Sequence, residues 1–96
     1  MGRAKEAVTV SQRNINLREA RLYRWPKDPQ RNRDVAVGLP NHALILNAAG
    51  MKAQACASAQ RAVAVWKSIE LRGDLGSRDA KNDVPEARAA AFKHCG

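Results

Sequence analysis

Large aromatic side chains are scarce in this chain of 96 residues, which has one Phe, one Tyr and two Trp. Its core must be built from aliphatic residues, and those are also few. Of the 43 apolar residues 18 are alanine, and Leu, Ile, Val and Phe together number 18. That lies just under the level of about one-fifth at which high net charge begins to favour disorder. Such a chain has room for one small domain that buries a modest share of its surface. Ordered helices flanked by frayed segments are the expectation.

Long apolar runs are missing too. The longest, Ala43 to Leu46, is far too short for a membrane span. The first ten residues contain Arg3, Lys5 and Glu6 with no apolar run after them, so no secretory signal is read there. Glu6 stands where a myristoylation signal needs Ser or Thr. A cytoplasmic location is therefore expected, with Cys56 and Cys95 as free thiols. A disulfide is expected only in an oxidising compartment.

His42, His94, Cys56 and Cys95 fall into no paired metal-binding spacing. The glycines form no phosphate-cradling loop, and the serines and threonine lie in no recognisable triad context. The chain is read as non-enzymatic, with no catalytic residue, metal or cofactor.

What the chain does have is positive charge. Seventeen Lys and Arg against nine Asp and Glu give a formal charge of +8, a long-range attraction for nucleic acid or for an acidic protein surface. Residues 1–34 hold nine of those cations. Within them Arg13, Arg18, Arg21, Arg24, Lys27, Arg31 and Arg33 are opposed only by Glu19 and Asp28. Guanidinium forks bind phosphates in pairs of hydrogen bonds, and Tyr23 and Trp25 offer faces on which unpaired bases stack. Asn16 and Glu19 resemble a capping pair, which predicts a short helix from Leu17 to Trp25 ended by Pro26. Val8 to Val10 lean towards a strand, and Pro26 to Asp34 reads as a linker.

The apolar residues concentrate between Asn41 and Arg72. Pro40 and Asn41 look like a helix start, and Arg72 followed by Gly73 looks like its end. At 100° steps Leu44, Ile45, Ala48, Met51, Ala55, Ala59, Ala62, Val63, Trp66 and Ile69 share one side. An unbroken helix is favoured slightly over two helices meeting in a turn at Gly50, where glycine costs about 1 kcal/mol relative to alanine. Within this stripe Ala48, Met51, Ala55, Ala59, Ala62, Trp66 and Ile69 form a seam of small and large residues suited to a second helix. A homodimer through that seam is expected. Beyond Gly73 a loop is expected from Asp74 to Asn82. A last helix from about Asp83 to Cys95 should then pack beside the central one, against Ala53, Ala57 or Ala64.

The segment Val35-Ala36-Val37-Gly38-Leu39-Pro40 resembles the strand leading into the first helix of ribbon-helix-helix DNA-binding proteins, and Leu22-Tyr23-Arg24-Trp25-Pro26 has a similar layout. The resemblance implies a two-chain strand ribbon that reads the major groove. The chain departs from that pattern at Pro29 and Gly50. A helix-turn-helix turning at Gly50 would leave Met51 to Trp66 to read bases, and that stretch is too rich in alanine to do so.

The sequence thus predicts a mainly α fold: a long or Gly-kinked central helix, a C-terminal helix packed on it, and a basic, partly flexible N-terminal arm (1–34) ahead of a helical core (35–96). RNA or DNA binding through the arginine-rich segment is the leading functional expectation. A helical adaptor, assembly subunit or inhibitor using the central seam is the alternative.

Overall fold

The computed structural model describes residues 2–96. Five helices follow one another: α1 (Gly2–Arg24), α2 (Pro29–Ala48), α3 (Lys52–Leu71), α4 (Ser77–Lys81) and α5 (Asp83–Cys95). There is no strand among the described residues. α2 and α3 form a hairpin; α1 lies along α2, and α5 lies along α3 and touches α2. None of these helices is long and apolar enough to cross a membrane.

The central stretch is two helices, not one. Gly50 adopts φ +80°, the left-handed region, and the chain reverses there. Its N–H donates to the Asn47 carbonyl at 3.0 Å, while the Met51 N–H donates to Leu46 at 2.9 Å. This paired closure satisfies the last carbonyls of α2. Gly73 ends α3 in the same way, with φ +78° and bonds from Gly73 to Glu70 and from Asp74 to Ile69.

The start of α2 also differs from expectation. It lies at Pro29, because the Asp28 side chain accepts from the Gln30 and Arg31 N–H groups at 2.8 and 3.3 Å. Pro40 has no such cap before it and sits inside the helix. The expected linker over Pro26 to Asp34 is thus a tight corner followed by the first turns of α2. The expected short helix at Leu17 to Trp25 is the end of a 23-residue one. Val8 to Val10 and Val35 to Val37 are helical, so no segment is available for the ribbon that the ribbon-helix-helix resemblance implies.

The core stripe on α2 runs Val35, Ala36, Leu39, His42, Ala43 and Leu46, all buried, whereas Leu44 is 52% exposed. On α3 it runs Ala55, Ala59, Ala62, Val65, Trp66 and Ile69. These five seam residues (Ala55, Ala59, Ala62, Trp66 and Ile69) are covered by the chain's own α2 and α5. Ala48 lies outside the core at the exposed end of α2, and Met51 is half-buried in the turn. The seam expected to meet a second chain is therefore the inside of the domain. Five alanines at 0% exposure, Ala36 and Ala43 on α2 and Ala55, Ala59 and Ala62 on α3, let the two backbones come close. Ile15 and Leu22 extend the cluster onto α1, and Val84 and Ala87 onto α5.

α5 begins where expected, but against a different face. Ala53, Ala57 and Ala64 are exposed, and α5 meets α3 at Cys56, Val63 and Trp66. Cys56 and Cys95 are joined in a disulfide instead of standing as free thiols. The expected loop before α5 contains the short α4, whose Asp79 accepts both arms of the Arg33 fork at 2.9 and 3.1 Å. That bond raises Arg33's pKa and holds Asp79's carboxyl below its ordinary value, while the adjoining Asp83 carboxyl is pushed up, first by its hydrogen bond with Asp79 and then by burial.

A buried polar connection built on His42 lies between α1 and α2. His42 Nε2 stands 3.1 Å from the Gln12 Oε1 acceptor, which sets the proton on that nitrogen and leaves Nδ1 to accept from the Ser11 hydroxyl at 2.6 Å. Burial lowers the His42 pKa below its ordinary value of 6.5. Below about pH 6.5 the unfolded chain takes up a proton that the folded chain resists, so stability should fall as pH drops through that point and level off beneath the folded pKa. Urea midpoints measured at about pH 7.5 and about pH 5 should show a drop that is smaller in His42→Gln. Equal drops in both proteins would remove His42 as its source.

Candidate nucleic-acid interface

The connection between α1 and α2 is pinned by Asn32. This buried side chain donates to the carbonyls of Pro26 and Asp28 at 3.0 and 2.9 Å. Trp25 is thereby held at the outside of the corner, 45% exposed. The guanidinium carbons of Arg24 and Arg31 lie 4.9 and 5.3 Å from its ring centroid, within cation–π range. Arg31 Nε is buried without a hydrogen-bond partner. Tyr23, two residues before Trp25, is 90% exposed.

A further cation arrives from α3. Arg72 Nη1 donates to the Pro26 carbonyl at 2.8 Å, which brings the C-terminal end of α3 to the same corner. In the sequence Arg72 reads only as a helix-ending cation. Its position at the Pro26 carbonyl follows from the hairpin at Gly50, and no spacing in the chain announces it. Asp28 is the acid of the corner itself, and its side chain is committed to capping α2.

The nine residues expected to contact nucleic acid divide into two sets. Arg21, Tyr23, Arg24, Trp25, Lys27 and Arg31 gather at the corner or on the last turn leading into it. Arg18, Arg33 and Arg13 do not. Arg18 Nη1 donates to the Asp34 carbonyl at 2.6 Å and ties α1 to α2, Arg33 is held by Asp79, and exposed Arg13 lies about 18 Å of helix away from Trp25. Two guanidiniums already lie over the Trp25 ring, so Tyr23 is the aromatic with open faces.

Such an arrangement presents cations around an amphipathic ring, a chemistry suited to holding anions. The two cysteines bind each other, and His42 is occupied on both nitrogens within the α1–α2 contact. In comparisons with protein-family models, curated proteins and solved structures, the chain matches none.

Proposed function

We propose that this protein is a non-enzymatic nucleic-acid-binding protein whose contact surface is the α1–α2 corner. The observation that carries the reading is Arg24 and Arg31 over the Trp25 ring and Arg72 on the carbonyl of the adjoining Pro26, with exposed Tyr23 and Lys27 close by in the chain. The net charge of +8 adds long-range attraction to it. Phosphates are met by the arginines, and a base stacks on Tyr23.

The test is the salt dependence of oligonucleotide binding. Each phosphate contact adds about 0.7 to the slope of log affinity against log salt for a single strand. Arg21, Arg24 and Lys27 are exposed and carry no bond across the fold, so replacing all three with alanine should flatten the slope by about 2 while helix content stays unchanged. A salt-insensitive complex, or a triple variant with the wild-type slope, would overturn the proposal.

The adaptor alternative needs a surface other than the buried seam, and so does a homodimer. Phe92 on the outer face of α5, 84% exposed, is the apolar side chain that favours one. A cytoplasmic location belongs to the same reading; in a reducing cytosol Cys56 and Cys95 would be thiols, and α5 would lose its covalent tie to α3.

A further inference from the structure

Between the α1–α2 corner and α3 runs a groove of about 210 Å³. Leu22 and Pro26 form one wall, with Asn32 beneath the corner, Ala64 and Val65 lie on the α3 side, and that side also presents Arg61, Ser68 and Arg72. Arg61, Ser68 and Arg72 are seven and four residues apart on α3 and its end, so they fall on one stripe of the helix. The stripe rises about 16 Å from Arg61 to Arg72. Its apolar wall ends at Tyr23 and Trp25, the immediate chain neighbours of Leu22 and Pro26.

We propose that this groove carries the backbone of a single nucleic-acid strand, which continues from Tyr23 and Trp25 along Arg72, Ser68 and Arg61. The inference rests on the corner reading and names its ligand as a single strand. Both arginines are poised for it. Arg72 is anchored by one nitrogen on the Pro26 carbonyl, which leaves the rest of its fork for a phosphate. Arg61 Nη2 reaches both Glu19 carboxylate oxygens only at 3.4 Å, longer than the roughly 2.7–2.9 Å of a tight charge-assisted bond. The pair is exposed, so exchanging Glu19 for a phosphate costs little.

A single strand fits this lining better than a duplex. The groove sets apolar Leu22, Pro26, Ala64 and Val65 beside Arg61, Ser68 and Arg72, a mixture that suits a sugar-phosphate backbone, and Tyr23 stands open for stacking an unpaired base.

The experiment compares binding of a fluorescent oligo-dT and of a duplex of equal length across a salt series. Arg61→Ala should flatten the single-strand slope by about 0.7 and weaken binding about fivefold at ~0.1 M salt. Glu19→Gln should tighten binding at low salt, because it removes the competing carboxylate without touching a contact residue. Arg61→Ala and Glu19→Gln both indistinguishable from wild type, with the strand still bound, would overturn the groove while leaving the corner reading standing. Duplex binding at least as tight as single-strand binding would also overturn it. No binding of either oligonucleotide would remove the corner reading itself.

Discussion

Trp66→Ala should lower the unfolding free energy by about 3–5 kcal/mol, the range for deleting a large buried aromatic side chain. Trp66 is 2% exposed and belongs to the cluster that joins Val35 and Leu39 of α2, Val65 and Ile69 of α3, and Ala87 of α5. It is the buried aromatic of the fold, and its fellow core residues include Ala36, Ala62 and Ala87, whose methyl groups have no rotamer that could swing into the space. Domains of this size are typically stable by about 5–15 kcal/mol, so the variant should unfold at a much lower urea concentration. Trp66→Phe should be far milder. It keeps much of the buried ring and removes an indole N–H that has no hydrogen-bond partner, whose desolvation costs about 1–3 kcal/mol. Urea unfolding followed by helix circular dichroism decides the matter; an alanine variant within about 1 kcal/mol of wild type would contradict this account of the core. Because the residue is internal, Trp66→Ala also cannot serve as a probe of partner binding: any loss would report unfolding.

Breaking the Cys56–Cys95 disulfide should cost a comparable amount. The bond spans a sequence separation of 39, and the loop-closure relation gives about 4 kcal/mol for a loop of that size. α5 depends on it more than the other long helices do. Its buried residue is Ala87, Val84 is half-buried, and Phe92 faces solvent. The ion pairs of Arg33 with Asp79 and Asp83 hold the start of α5, and the disulfide holds its end. Reduction, or Cys56→Ser with Cys95→Ser, should therefore lower the urea midpoint and speed amide exchange in α5 ahead of α2 and α3. Equal midpoints with and without reductant would show that the bond adds nothing. The two changes share the α3–α5 contact, so their costs should not simply add when combined.

The helical class, the glycine end of α3 and the bounds of α5 were legible in the sequence because each has a local cause. Gly73 follows the last apolar residue of its stripe, and Asp83 to Cys95 carries one short periodic pattern. α2 was harder to read because two prolines compete as its start. Pro29 prevails through the Asp28 cap, and the apolar stripe from Val35 to Leu46 passes straight through Pro40. The same proline hid the pattern, making Val35 to Val37 resemble a strand and shifting the apolar face towards Leu44 instead of Leu46. The seam of alanines was read correctly as a helix-packing surface, but its partner was this chain's own α2 and α5. Spacing within one helix does not reveal whether the neighbour comes from the same chain. The aromatic and basic residues around Trp25 were visible as a cluster, while the commitment of Arg18 to Asp34 and of Arg33 to Asp79, and the arrival of Arg72, depend on contacts distant in sequence.

The order in which the helices pack has a kinetic meaning. α1 lies on α2, α2 on α3, and α3 on α5 after the small α4, so most neighbours in space are neighbours along the chain. Bringing such partners together closes only short loops and surrenders little chain entropy before contacts begin to compensate. The α2–α3 hairpin, with its three-residue connection and alanine-lined contact, can form as a unit on which α1 and α5 dock from opposite ends of the sequence.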